Sequence, residues 1–171
     1  MLDDDFDTIK KSIKEGVPTK LKTKVPLGEI DENGLWEILL NFPSWIFTEE
    51  QHGKHAMAEG MLKINYLDLK TSIEPIDKIF SFLETNFLKN VGVTVFFSIH
   101  EDSKGLGWHR DFGSYVLGMN LFGDTTWESQ GYPPIDLSQG EMLFMPEPVK
   151  HRVIVHSAER ITCGFYGQLK A

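Results

Sequence analysis

Residues 140–169 read GEMLFMPEPVKHRVIVHSAERITCGFYGQL, and this stretch indicates the fold class. Short apolar or alternating runs are separated by a glycine, by two prolines and by a polar turn, which is the pattern of short β-strands. The same pattern extends back to residue 91 without helical periodicity. The sequence therefore predicts an antiparallel barrel or sandwich. The predicted strands are 61–67, 91–99, 115–122, 125–128, 141–145, 152–156 and 161–169.

The first 90 residues contain the clearest helix signal. Ser72 or Thr71 can cap a helix, Pro75 suits its first turn, and apolar residues then recur at three- to four-residue spacing. We predict a helix over 75–89 and a shorter one over 33–41. A length of 171 residues suits a single domain over 1–171. In it, residues 1–90 form an extension that buttresses a β core over 91–169.

The composition excludes several classes of protein. The chain has 17 Lys and Arg against 25 Asp and Glu, a formal net charge of -8. This balance argues against duplex nucleic acid or an anionic membrane as the main partner, because both need a net basic face. The one cysteine, Cys163, fits a reducing compartment, and alternation with Thr162 predicts that it is inert core. No apolar run approaches the roughly 18 residues of a membrane span, so we expect a cytoplasmic protein.

His109, Asp111 and His151 are the candidate metal ligands. Residues i and i+2 of a strand point to the same side, so His109 and Asp111 can face one ion while Arg110 points away. That pair alone is also typical of a surface turn. His151 follows the turn 146–149, in which two prolines stiffen the backbone that presents it. Two His and one carboxylate leave three octahedral positions open, as in non-haem Fe(II) oxygenases, although zinc hydrolases use the same residue types.

Arg160 and Thr162 are the candidate co-substrate residues. On a strand both face the same side, so a guanidinium fork and a hydroxyl would share one patch that suits a carboxylate. A chelating molecule with a remote carboxylate, such as 2-oxoglutarate, would fit this patch and the metal together. The alternative is that Arg160 makes a surface ion pair with Glu159 or Glu141.

These residues carry a resemblance to a known family. His109-Arg-Asp111, then His151, then Arg160-Ile-Thr162 resembles the Fe(II)/2-oxoglutarate-dependent oxygenase superfamily. Residues 140–151 are similar to the second cupin motif, with Pro148 where cupins have glycine. Residues 114–127 resemble the JmjC-like stretch after the first motif, although Thr125 stands where that group has lysine. The resemblance covers about 91–169 and departs from an ordinary cupin, whose first motif has a second histidine and a later glutamate.

The resemblance implies a double-stranded β-helix with Fe(II) bound by His109, Asp111 and His151. It implies 2-oxoglutarate as co-substrate, held by Arg160 and Thr162, and O2 as oxidant. Tyr115, which lies beside the first motif in the sequence, is a further candidate donor to 2-oxoglutarate. The activity would be hydroxylation of a peptide or protein side chain or of a small metabolite. The aromatic residues near the first motif either line a substrate pocket or pack in the core. They are Trp108, Phe112, Tyr115 and Trp127.

Two other interpretations stay open at this stage. The first is a cupin-like metal-binding or sugar-binding module without oxygenase chemistry, in which Arg160 would be dispensable. The second is a structural β-barrel without a metal. The sequence does not name a primary substrate, and it does not indicate an oligomeric state.

Overall fold

The computed structural model describes residues 2–27, 61–65, 74–98, 107–157 and 160–171. This part of the chain contains two α-helices and nine β-strands. The helices are α1 (Phe6–Glu15), preceded by a 3-10 turn at Asp3–Asp5, and α2 (Glu74–Asn86). The strands are β1 (Thr19–Lys20), β2 (Met61–Asn65), β3 (Leu88–Ser98), β4 (Tyr115–Phe122), β5 (Thr125–Ser129), β6 (Tyr132–Leu137), β7 (Met142–Met145), β8 (His151–Val155) and β9 (Arg160–Leu169).

The strands form two antiparallel sheets. The six-stranded sheet has the order β1-β7-β4-β9-β3-β2, and the three-stranded sheet has the order β6-β5-β8. From β3 onward the chain alternates between the sheets, because β3, β4, β7 and β9 lie in the larger sheet and β5, β6 and β8 in the smaller one. Between β3 and β4, His109 forms an isolated antiparallel bridge with His151, the first residue of β8 in the smaller sheet. This interleaving makes a double-stranded β-helix, so the predicted fold class is confirmed.

Two clusters of buried apolar side chains cover the two faces of the larger sheet. The first joins the outer face of this sheet to the helices, and it includes Ile9 of α1 and four α2 residues at helical spacing. The second lies inside the barrel and draws its residues from both sheets. Its members are Val116, Trp127, Leu137, Leu143, Met145 and Val149. The helices therefore buttress the larger sheet, as predicted.

Alternation along β9 separates the barrel interior from the outer core. Three alternate residues of β9 belong to the outer cluster, so the residues between them face the interior. The outward-facing residues are Ile161, Cys163 and Phe165, and the inward-facing residues are Arg160, Thr162, Gly164 and Tyr166. β4 is likewise buried on both faces, which is why its sequence is a continuous apolar run broken by Asn120.

Several predicted boundaries need correction. Helix α2 ends at Asn86 and not at 89, because β3 begins at Leu88 and takes over the last residues assigned to the helix. The β core accordingly begins at 88 and not at 91. Strand β6 is missing from the prediction because Pro133 and Pro134 disfavour a strand. It lies at the edge of its sheet, where neither proline is paired, and it pairs with β5 alone.

Some predictions fall outside what the structure describes. The shorter helix over 33–41 lies wholly in a part of the chain that is not described, and so do residues 66 and 67 of the first predicted strand. A single domain over 1–171 therefore stays a prediction. Among the described residues, no helix combines the length and the apolar character needed to cross a membrane.

Candidate metal centre

His109 and His151 face each other across two antiparallel segments. The backbone N–H of each donates to the carbonyl oxygen of the other, and both hydrogen bonds are 2.9 Å long. Directly opposite residues of an antiparallel pair place their side chains on the same side. The two imidazole ring centroids accordingly lie 4.5 Å apart.

Asp111 joins the two histidines. It lies two residues after His109, and its Oδ2 is 3.3 Å from Nε2 of His151. One ligand atom from each of the three residues lies within 4.8 Å of the others, so the group could hold one metal ion. His151 is buried, whereas His109 and Asp111 are half-buried. The group is therefore closed on the His151 side and accessible from the other.

Each imidazole makes the same local hydrogen bond. Nδ1 of His109 lies 2.7 Å from the carbonyl oxygen of Gly107, and Nδ1 of His151 lies 3.0 Å from that of Val149. A carbonyl oxygen can only accept, so these contacts assign a proton to Nδ1 of each ring and make Nε2 the nitrogen that can serve as a metal ligand. A carbonyl partner on the other ring nitrogen is the usual way in which a protein orients a metal-binding imidazole.

The contact between His151 and Asp111 fits a cation. With the proton on Nδ1, the His151 Nε2 lone pair faces the Asp111 carboxylate at 3.3 Å. Two electron-pair donors stay this close to each other when a cation lies between them. That cation is either a metal ion or a second proton. The donor set of two imidazole nitrogens and one carboxylate oxygen suits a divalent transition metal.

Glu147 ties together the two segments that carry the group. Its carboxylate accepts a hydrogen bond of 2.9 Å from the backbone N–H of Gly113, just after Asp111. Its own turn is closed by the Val149 N–H, which donates to the Pro146 carbonyl oxygen at 3.2 Å. The proline turn therefore presents His151 and also holds the loop that carries Asp111.

Trp127 supports His151 from inside the barrel. The rings of Trp127 and His151 stack with centroids 5.7 Å apart and planes inclined by 23°. The indole also lies close to Gly118, where an added Cβ would come within 2.6 Å of the ring. The His151 ring is thus held by Trp127 as well as by the Val149 carbonyl.

Arg160 faces the same barrel interior. It is only 2% exposed, and burial lowers its pKa to about 10, so it stays a cation at neutral pH. Of the two ion-pair partners considered for it, Glu141 pairs with Lys20 at 2.8 Å, and Glu159 lies outside the described residues. The distance between the two ends of the interior can be read along β5. Ser129 pairs with His151, and Thr125 lies near the Arg160 end. These two residues are four apart on the strand, which is about 13 Å of backbone.

Thr162 belongs to a buried hydrogen-bond network centred on Asn120. The Asn120 Oδ1 accepts from the hydroxyls of Thr162 at 3.2 Å and Thr125 at 3.0 Å. Its Nδ2 donates to the carbonyl oxygens of Gly123 and Leu137, which fixes the orientation of the amide. The one proton of the Thr162 hydroxyl is therefore used within this network. Thr125, at the lysine position of the JmjC-like pattern, belongs to the same network.

Tyr115 lies on the other face of the larger sheet. Its ring stacks on Phe144 of the outer cluster with centroids 6.1 Å apart, whereas its neighbour Val116 belongs to the interior cluster. Burial, together with the charge of Glu147, raises the pKa of the Tyr115 hydroxyl. The structure therefore does not bring Tyr115 together with the inward-facing residues, contrary to its proposed role beside the co-substrate.

The other aromatic residues near the first motif also lie in different places, some on the outside of the barrel and one inside it. Trp108 lies under Arg152, whose Cζ is 4.9 Å from the ring centroid, and Arg152 pairs with Glu128 at 2.6 Å. Phe112 is 84% exposed beside Asp111. Of the four aromatic residues, Trp127 packs inside the barrel, whereas Phe112 and, to a smaller extent, Trp108 at 42% exposed are open to solvent.

Sequence reasoning missed the supporting residues of the site. Glu147 is flanked by two prolines, and a charged residue in such a rigid turn is the signal that could have identified it. Asn120 is a polar residue in the middle of an apolar run, which indicates a buried polar partner. The carbonyl groups of Gly107 and Val149 leave no signal in the sequence, because every residue has one.

Comparisons with known proteins give a likeness of fold. No family model matches the chain, and no curated protein matches it. An RmlC-like cupin family protein with a double-stranded β-helix fold, from Methanocaldococcus jannaschii, is 16% identical over 46% of this chain and 70% of its own, with a TM-score of 0.40. KdgF from a Halomonas species is 12% identical over 65% of this chain and 81% of its own, with a TM-score of 0.46.

An RmlC-like cupin from Shewanella frigidimarina is 14% identical over 45% of this chain and 65% of its own, with a TM-score of 0.39. These values describe a distant likeness of fold.

Proposed function

We propose that this protein is an Fe(II)- and 2-oxoglutarate-dependent dioxygenase that hydroxylates a peptide or protein side chain or a small metabolite. The observation that carries the proposal is the group His109, Asp111 and His151, whose ligand atoms lie within 4.8 Å of one another. Both imidazoles are oriented by a backbone carbonyl on Nδ1, which leaves Nε2 as the nitrogen that can bind a metal. Two neutral imidazoles and one carboxylate on one side of an ion are the donor set of the facial Fe(II) oxygenases.

Arg160 distinguishes an oxygenase from a simple metal-binding module. A buried cation on the inner face of the same barrel supports the binding of an anion there, since Arg pairs with a carboxylate through two parallel hydrogen bonds. When bound, Fe(II) and 2-oxoglutarate together supply the activation of O2 for hydroxylation of a C–H bond. The protein's own residues would orient the chelating acid, with Arg160 on its remote carboxylate, and exclude water from the interior.

The substrate class is proposed from charge and exposure. The net charge of -8 disfavours duplex nucleic acid. Arg152, the cation nearest in sequence to His151 on β8, is paired with Glu128 on the outer surface. The exposed Phe112, next to Asp111, suits a peptide segment or a metabolite with an apolar face.

The test is turnover of 2-oxoglutarate by the purified full chain. The protein is loaded anaerobically with Fe(II), given 2-oxoglutarate and then O2, and succinate is measured with and without pools of peptides or metabolites. We expect slow succinate formation that depends on Fe(II) and is stimulated by the right pool. The His151→Ala variant should lose it, whereas His156→Ala should retain it, because His156 hydrogen-bonds Thr126 away from the metal group.

A negative result has a defined meaning. If Mn(II) binds to the chain but 2-oxoglutarate neither binds to the loaded protein nor yields succinate, the oxygenase proposal is wrong. The metal-binding or sugar-binding module is then the better description.

A further inference from the structure

Three glycines line the inner face of the larger sheet, and they differ in what lies above them. An added Cβ at Gly92 would come within 2.5 Å of the Tyr166 ring, and one at Gly118 within 2.6 Å of the Trp127 ring. Both positions are therefore already filled by a neighbouring side chain. At Gly164 the nearest atoms would be the Thr94 carbonyl oxygen and the Val116 Cγ1, both at 3.9 Å. A Cβ at Gly164 would thus make ordinary van der Waals contacts only.

Gly164 lies between the two proposed binding groups. On β9 it is two residues from Thr162 and two from Tyr166, and all three lie on the inner face of the sheet, with Tyr166 38% exposed. Tyr166 pairs with Val116, which in turn pairs with Met145. The Met145 sulfur lies 3.7 Å from the hydroxyl of Ser129, the residue that pairs with His151. Tyr166 is therefore level with the His151 end of the barrel, and Arg160 is at the other end of the same strand.

An independent observation in the same layer points to a ligand. Gly118 pairs directly with Gly164, and the Trp127 ring lies over Gly118. The Trp127 side chain is 5% exposed, and within the described part of the chain its Nε1–H is buried without a hydrogen-bond acceptor. A buried N–H group of this kind is uncommon in a folded protein, because it has lost its water without gaining a partner. An occupant with oxygen atoms beside Gly164 would supply one.

We propose that Gly164 forms the floor of a narrow passage for an unbranched dicarboxylate, which extends from the group His109, Asp111 and His151 to Arg160. The inference rests on the proposed function and adds a residue that determines specificity. The missing side chain at 164 leaves the space for the carbon chain of the ligand, and the Trp127 Nε1–H donates to one of its oxygens. A branched acid would not fit where Gly118 and Gly164 lie side by side on neighbouring strands, next to the Trp127 indole.

The experiment measures ligand affinities of the Mn(II)-loaded full chain by calorimetry. The variants are Gly164→Ala and Gly164→Val, and the probes are Mn(II), 2-oxoglutarate and oxalate, which chelates a metal but is too short to reach Arg160. Relative to wild type, we expect 2-oxoglutarate affinity to fall by about 5-fold in Gly164→Ala and by up to about 100-fold in Gly164→Val. The reason is the cost of adding methyl groups to close-packed space. The affinities for Mn(II) and oxalate should stay at the wild-type value.

The matched control is Gly167→Ala, on the outer face of the same strand. A Cβ there would lie 3.0 Å from the Lys89 carbonyl oxygen and 3.1 Å from the Leu88 Cβ, so it strains the sheet without entering the barrel. It should lower thermal stability and leave 2-oxoglutarate affinity unchanged. Trp127→Phe keeps the ring and removes the N–H, so it should lower that affinity by about 2- to 10-fold.

Each outcome decides the question. If wild type binds 2-oxoglutarate and both Gly164 variants bind it equally well, the passage is overturned while the proposed function stands. If wild type binds Mn(II) but no 2-oxoglutarate, both are overturned. Should the valine variant fail to fold, the alanine variant decides, because its Cβ fits the observed space, and an unchanged affinity would then refute the passage.

Discussion

Replacing Arg160 by methionine is the sharpest single perturbation of the proposed co-substrate site. Methionine has a similar length and suits a buried position, so the change removes the charge with little change in packing. Arg160 is 2% exposed and lies on the inner face of β9. The remote carboxylate of 2-oxoglutarate would then be buried without its cation. Truncating one partner of a buried charge pair costs about 3 kcal/mol, which is roughly a 10²-fold loss of affinity.

Arg152→Met is the matched control for this change. Arg152 follows His151 directly and also carries a guanidinium, but its side chain is 40% exposed and pairs with Glu128 on the outer face. Losing this pair should cost at most about 1 kcal/mol of stability, since exposed ion pairs contribute little. Its affinity for 2-oxoglutarate should equal that of wild type.

The assay is the dissociation constant of 2-oxoglutarate from the Mn(II)-loaded protein, followed by the Michaelis constant for 2-oxoglutarate in succinate formation. Mn(II) affinity should be unchanged in both variants. Arg160→Lys should recover part of the loss, since lysine keeps the charge but not the planar fork. An Arg160→Met variant that binds 2-oxoglutarate as tightly as wild type does would refute the assignment.

Three further predictions concern the metal group, the barrel packing and the thiol. Asp111→Ala removes the one charged ligand of the group and should lower Mn(II) affinity by at least about 10²-fold, as measured by calorimetry; full metal occupancy in this variant would show that the ligand set is wrong. Gly118→Ala places a Cβ within 2.6 Å of the Trp127 ring. This overpacking should cost about 1–3 kcal/mol and lower Tm by roughly 2–12 °C in a scan of the apo protein, and an unchanged Tm would contradict the observed contact. Burial raises the pKa of the Cys163 thiol, so a thiol reagent should modify no cysteine in the native chain and one after denaturation; rapid modification of the native protein would mean that β9 opens readily.

Local rules in the sequence predicted most of the fold and the three residues that the structure groups as a possible metal site. Strand-forming runs between Gly and Pro breaks identified β4, β5, β7, β8 and β9, because each depends on a few neighbouring residues. The period of two along a strand placed His109 with Asp111 and predicted that Arg160 and Thr162 share a side. The same rule predicted that Cys163 faces away from Thr162 and packs in the core. In the structure Cys163 belongs to the outer cluster. Local rules failed for β6, because whether a proline is tolerated depends on whether the strand lies at an edge.

The sequence by itself determined which residues can act, and the tertiary structure decided which of them meet. The spacing of His109 and Asp111 is local, but the pairing of His109 with His151 requires two distant segments to align in register. Tyr115 and Trp127 look equivalent in the sequence, and yet one packs against Phe144 outside the barrel and the other stacks on His151 within it. Side-chain direction follows from the local period of a strand, whereas the partner across the sheet, and the face that a helix covers, follow from long-range packing that no short window of sequence contains.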